Sequence, residues 1–160
     1  MYRILHDKTT IHYAATKTVA DLVAQDLQSR FGGSAKVDAT EGKSYHIDFG
    51  GMILQSDAPI SATCGGVELS FYAHQFQTLL TKVRRGLENI RDGGYVKIHG
   101  YTSSLCITTE QVAEFKTFLE SNYDELCNLQ TNYLSRLAEA RAALVSQDSL
   151  VEDKPDSEIV

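Results

Sequence analysis

The chain lacks a surplus of positive charge. Its 160 residues include 15 Lys and Arg against 21 Asp and Glu, a formal net charge of -6. Proteins dedicated to nucleic-acid backbones draw affinity from Lys and Arg, so this balance argues against bulk nucleic acid as a partner. No apolar run approaches the ~18 residues that a bilayer-spanning helix needs, which sets the membrane aside. The first residues, Met1 to Lys8, turn polar too soon for the core of a secretory signal. Cysteines are few and odd in number: Cys64, Cys106 and Cys127. Pairing would leave one thiol over, and no C-x-x-C spacing suggests zinc. The expectation is a cytoplasmic protein with reduced thiols, no metal and no cofactor.

Signatures of catalysis are missing too. There is no G-x-S-x-G elbow, no H-E-x-x-H and no glycine-rich phosphate loop between a strand and a helix. Five histidines are scattered at His6, His12, His46, His74 and His99. His46 and His99 fall in alternating stretches and could share one side of a sheet, the arrangement a small hydrolase or lyase would use. A base needs a nucleophile within hydrogen-bond reach, and none is specified. No residue is assigned as catalytic, and the reading is a non-enzymatic protein.

What is present is a pattern of helices and strands. Hydrophobic residues make up 42%, ordinary for one globular domain. Val19, Leu22, Val23, Leu27 and Phe31 recur at helical spacing over about 16–31, and Gly32-Gly33 supplies the stop. Tyr45, Ile47 and Phe49 alternate with polar residues, as in a half-buried strand. Gly50-Gly51 separates them from Met52-Ile53-Leu54, and Gly65-Gly66 separates 62–64 from 67–69. Two-glycine turns suit tight antiparallel hairpins. With Ala35–Ala39, these segments predict an antiparallel meander, and Tyr2 to Leu5 a short edge strand. A second helix, about 73–90, carries the stripe Phe76, Leu79, Leu80, Val83, Leu87 and Ile90. Strands at 95–99 and 105–107 follow.

Thr108 and Gln111 match a capping box opening the longest helix, about 109–146, since no Gly or Pro intervenes before Pro155. The fold class is α+β: residues 1–146 form one domain, an antiparallel meander with helices on one face. Residues 147–160 hold five acids against Lys154, a net of -4 that leaves -2 for the rest. They read as an acidic disordered tail. A helix over 109–146 would be about 57 Å long, whereas a domain of this size has a radius of gyration near 15 Å. Its coiled-coil-like seam, Leu126, Leu129, Tyr133, Leu137 and Leu144, therefore predicts a twofold homodimer.

Two polar groupings invite a ligand. Arg84 and Arg91 share one flank of the second helix region. With Arg136 and Arg141 from a second subunit and Tyr95 or Tyr133 alongside, they would clamp an anionic, nucleotide-like molecule at the dimer interface. Asp26 and Arg30, four apart at the border of the first helix's stripe, form either an edge salt bridge or a polar pair at a binding site.

The succession of helix, strands, helix, two strands and helix between about Thr16 and Leu129 resembles that of class I chaperones of type III secretion. Those are small, acidic dimers that wrap an unfolded segment. The resemblance lies in element order alone, without a shared motif, and it implies a polypeptide partner. The expected function is a homodimeric binding protein for a protein or peptide, chaperone-, adaptor- or inhibitor-like. The alternative is sequestration of an anionic nucleotide or cyclic nucleotide.

Overall fold

The computed structural model describes residues 1–8, 10–51, 54–55, 57–91 and 94–158, without the side chains of 10 and 147–158. The chain opens with β1 (Tyr2–His6) and β2 (Thr10–Ala14), an antiparallel pair joined through Asp7 and Lys8. Both turn residues sit at positive φ, 51° and 64°, the conformation a tight reverse turn of this hand demands. Helix α1 (Lys17–Phe31) follows, its N-terminus capped by Thr16 Oγ1 accepting from Val19 N. Then come β3 (Ala35–Ala39), β4 (Ser44–Ile47), β5 (Ile60–Cys64) and β6 (Val67–Phe71). A short 3-10 turn, Ala73–Gln75, leads into α2 (Phe76–Glu88), followed by β7 (Tyr95–His99), β8 (Ser104–Thr108), α3 (Thr109–Ser121) and α4 (Tyr123–Glu158).

The α+β class is as expected, with two mixed sheets. One has the order β3-β1-β2-β8-β7, the other β4-β6-β5. The sheets are mixed, not a continuous antiparallel meander: the Gly65-Gly66 hairpin joins β5 to β6 antiparallel, but β4 runs parallel to β6. Of the expected return strand Met52-Ile53-Leu54, residues 52 and 53 lie outside the described residues. β3 belongs to the other sheet, paired with β1, and β1 is an inner strand, not an edge. Strand β2, which carries no glycine signal, inserts between β1 and β8.

Helices lie on both faces of the larger sheet, not one. On one face, α1 packs Val19, Ala20, Val23 and Leu27 against Ile4, Ala14, Tyr95 and Cys106. On the other, Val96, Ile98, Leu105 and Ile107 meet the small sheet, α2 and α3 in a larger core around Phe71, Phe76 and Phe115. The capping box at Thr108 and Gln111 forms as read, and Gln111 Nε2 also donates to Gly65 O at 3.3 Å.

The helix expected over 109–146 is two helices. Asn122 caps α3, its Nδ2 donating to Phe118 O at 2.8 Å. A side chain that satisfies the backbone locally competes with helix propagation, and so ends the helix without Gly or Pro. The first part of α4 then packs on the rest of the chain. Leu126 and Tyr133 are 2% and 3% exposed, and His74 stacks on Tyr133 with centroids 4.1 Å apart. The α4 backbone is helical to Glu158, through most of the stretch read as a disordered tail; no Gly or Pro interrupts it before Pro155. Residues 159 and 160 lie outside the described residues. No helix among the described residues is long and apolar enough to cross a membrane.

Candidate functional site

Strand alternation places Ile4 and His6 of β1, His12 and Ala14 of β2, Ser104 and Cys106 of β8, and Tyr95, Lys97 and His99 of β7 on the face that α1 covers. On that face each strand turns from apolar to polar toward the same end: Ile4 to His6, Ala14 to His12, Cys106 to Ser104, Tyr95 to Lys97 and His99. His12, Ser104 and His99 form one cross-strand row. α1 seals the apolar half. Over the polar half its last turns leave a cleft of about 550 Å³, into which Asp26, Leu27, Arg30 and Phe31 project from the helix and Arg91 from the approach to β7.

The two acids of the cleft are already engaged. Asp26 accepts from Arg30 Nε at 2.8 Å and from Tyr95 Oη–H at 3.1 Å. Asp7 accepts from Ser34 N at 3.2 Å, and His6 Nε2 lies 2.7 Å from Gly32 O. The remaining basic groups are less well provided for. Among the described residues, neither Lys97 nor Arg91 forms an ion pair. His12 is only 4% exposed, and neither of its ring nitrogens has a hydrogen-bond partner.

The field at the floor is correspondingly positive. Burial, then Lys97, His99 and His6, push the His12 pKa down to about 4, so the imidazole is neutral at physiological pH. His99, whose Nδ1 lies 3.0 Å from Ser104 Oγ, is also held below its usual value, first by burial and then by Lys97, Lys82 and Arg91. Burial lowers Lys97 as well. Each of these groups is disfavoured in its charged form, and a bound anion would relieve all of them at once.

A second, smaller hollow of about 220 Å³ lies across the free edge of β7. Lys82, Arg85, Gly86 and Asn89 line it, and it shares Arg91, Lys97 and His99 with the first.

The residues singled out from the sequence scatter. Arg91 alone of the four arginines reaches the cleft. Arg84 pairs with Glu120 at 3.3 Å on the far side of α2. Arg136 pairs with Asp57 at 3.0 Å and lies over the Tyr133 ring, and Arg141 is exposed farther along α4. Tyr95 is buried beneath α1, tied to Asp26, while Tyr133 is buried under α4, its Oη donating to Leu54 O at 3.3 Å. Thus no single pocket holds both tyrosines. Asp26 and Arg30 do form their pair, at the cleft wall. Within the seam, Leu126, Leu129 and Tyr133 pack inside the protomer, leaving Leu137 half-buried and Leu144 exposed.

His46 and His99 do not share a sheet. His46 lies in the small sheet, its Nδ1 2.9 Å from Ser70 Oγ. The histidines that do converge are His6, His12 and His99; the sequence paired His99 with His46 and left His6 and His12 without a partner. Their signal was the alternation itself, but it becomes visible only once β2 is placed beside β1 and β8. Two of the three thiols are buried and held protonated: burial raises Cys64 to about 11 and Cys106 to about 12. Among the described residues no group of three or more His, Cys, Asp or Glu side chains could hold a metal.

Fold and cleft together define an α+β protein with a basic cleft between α1 and the larger sheet. No protein-family model, curated protein or solved structure matches the chain, so the likeness in element order to type III secretion chaperones rests on that order alone.

Proposed function

We propose that this is a non-enzymatic binding protein that holds a small anionic organic molecule between α1 and the five-stranded sheet. The observation carrying this reading is the convergence of Arg91, Lys97, His12 and His99 without carboxylate partners, in a cleft whose acids are already engaged. A cleft of about 550 Å³ falls in the range used for small ligands. Binding is favoured over catalysis because the hydroxyl beside His99 belongs to Ser104, which is buried in the strand and hydrogen-bonded. The site differs from the dimer-interface clamp expected from the arginines, but the ligand class is the same.

Titration calorimetry against small phosphates and carboxylates at pH 7 tests the reading, with Lys97→Ala as the control. A ligand at 100 times its Kd would also stabilise the fold by about 2.7 kcal/mol. Binding that survives Lys97→Ala unchanged rejects the cleft as its location.

A second reading, the homodimer that holds a protein or peptide, draws on one different feature. Leu144 and Val145 of α4 are 57% and 65% exposed, beyond the part of the helix that packs on the rest of the chain. Sedimentation of the full chain and of Leu144→Asp decides it: a dimer converted to monomer supports the reading, and a wild-type monomer ends its homodimeric form.

A further inference from the structure

Resting on the cleft reading, we propose that the ligand carries two linked phosphate groups on an organic body with a flat ring, a nucleoside-diphosphate type of molecule laid over the edge of β7. The first argument is continuity. The cleft and the smaller hollow share Arg91, Lys97 and His99, so one molecule bound to these side chains has access to both depressions. Because β7 is an edge strand, nothing in the sheet divides them.

The second argument is charge. Among the described residues Arg91, Lys97 and Arg85 form no ion pair. The neighbouring cations are otherwise engaged: Arg30 is bound to Asp26, while Lys82 donates to His99 O at 3.0 Å and lies 4.9 Å from the Phe49 ring centroid. Three uncompensated positive charges spread over two hollows exceed what one carboxylate would neutralise. Each phosphate group brings between one and two negative charges and three acceptor oxygens, and the planar fork of Arg matches phosphate bidentately. Neutral His12 and His99 add N–H donors with no charge of their own.

The third argument is the rim. Phe31, the last residue of α1, is 71% exposed, with its ring 6.2 Å from that of His6. A helix that ends on a solvent-facing aromatic beside a basic cleft offers a face on which a planar ring can stack. Of the two depressions, Phe31 lines the cleft and not the smaller hollow, and Arg85 the smaller hollow and not the cleft. The two ends of the ligand can therefore be examined separately.

The test uses the full chain and calorimetric titration with inorganic phosphate, pyrophosphate, adenosine 5′-monophosphate and adenosine 5′-diphosphate, with the ring signals of His12 and His99 followed by NMR. Adenosine diphosphate is expected to bind at least tenfold more tightly than the monophosphate. Arg85→Ala should abolish that difference and leave the monophosphate affinity unchanged. Phe31→Ala should weaken both nucleotides several-fold and leave pyrophosphate as it was. Both residues are exposed, so the variants keep the fold, and circular dichroism verifies this. Equal affinity for mono- and diphosphate, or an Arg85→Ala loss shared by both, overturns the proposal while leaving the anion cleft standing. If none of the four compounds, nor any carboxylate, moves the His12 and His99 signals, the cleft reading itself fails. Tighter binding of a single-stranded oligonucleotide without terminal phosphate than of adenosine diphosphate also overturns it, because the paired phosphates would then come from a polymer.

Discussion

Val96 and Lys97 are neighbours on β7, yet they belong to different parts of the molecule. Val96, with Ile98, Leu105 and Ile107, faces the core shared with the small sheet, α2 and α3, where every one of these side chains is buried. Lys97 faces α1 and the cleft. The first face is closed by a second sheet and two helices, so a polar group there would have lost its water without a partner. The second is closed by a single helix that ends before the sheet does. Four strands change from apolar to polar along that face, from the sealed end to the open one. Tyr95 marks the transition, its ring buried and its hydroxyl supplied with Asp26 as acceptor. One strand thus contributes to stability through one set of side chains and to a site through the other, and the two sets should answer mutation differently.

The largest effect belongs to the closed face. Phe115 is fully buried and makes an edge contact with Phe71 at 5.9 Å between centroids. Phe115→Ala should cost about 3–5 kcal/mol in urea denaturation. A cost below about 1 kcal/mol would show that this core can collapse around the loss, and the contrast between the faces would disappear.

The next effect belongs to the open face and depends on pH. The folded-state pKa of His12 is about 4, against an ordinary 6.5. Between those values the unfolded chain takes up a proton that the folded chain refuses, so stability is complete above pH 6.5 and declines as pH falls toward 4. The shift corresponds to a loss on the order of 3 kcal/mol. Burial is the largest cause, followed by Lys97, His99 and His6, with the engaged Asp26 and Arg30 opposite on α1. Denaturation of the wild type and of His12→Leu at pH 7 and pH 4.5 isolates the term. Identical losses in the two proteins would remove His12 from the account.

These two residues also mark what could be read from the sequence. Phe115 lies on the helix that the Thr108 capping box announces, at the spacing of its other buried residues Val112 and Leu119, where local periodicity alone declares the buried side. The helices α1 and α2, the β5–β6 hairpin and the capping box at Thr108 were legible for the same reason: each is decided within a few residues. His12 was not, because its burial depends on β2 lying between β1 and β8, a pairing between residues some 90 positions apart (His12 with Ser104). The turn that creates β2 uses Asp7 and Lys8 in the left-handed region where glycine would have announced it. Gly50 and Gly51 both take positive φ, 75° and 76°, a conformation that glycine adopts in connections of more than one kind, so the pair by itself does not specify a hairpin. At Asn122 an ordinary polar residue ends a helix by bonding its own backbone, and seven-residue periodicity passes over that signal. Of the candidate site, Arg91, Asp26, Arg30 and His99 were named beforehand, His99 as a possible base beside His46; Lys97 was hidden as the polar member of an alternating strand.

A smaller effect examines the closed face from its helix side. Gly86 lies inside α2, where Ala would be intrinsically better by about 0.8–1 kcal/mol. A Cβ there would stand 2.5 Å from Val96 Cγ1, too close for a buried side chain to accommodate in place. Overpacking of this kind costs about 1–3 kcal/mol, so Gly86→Ala should lower the unfolding midpoint despite the gain in propensity. Val96→Ala in the same chain should restore part of the loss by making room, which a double-mutant cycle reads directly. Additive effects would mean that α2 and β7 are free to separate.

The smallest stability effect, and the one that most sharpens the comparison, is expected one residue away at Lys97. Its ammonium is held below its ordinary pKa by burial, and Arg91 adds to the penalty, so the folded protein bears a cost whenever that charge is present at neutral pH. Lys97→Met keeps the aliphatic stem and removes the charge. The change in unfolding free energy should be within about 0.5 kcal/mol, as at ordinary partly exposed positions, and in the stabilising direction. Anion affinity in the cleft should meanwhile fall at least tenfold. A residue that weakens the fold slightly while strengthening binding is what a site set apart from the core predicts, because binding groups are held in place at some expense to stability. Destabilisation by 2 kcal/mol or more would instead make Lys97 a structural residue, and the open face of the sheet would then be core by another route.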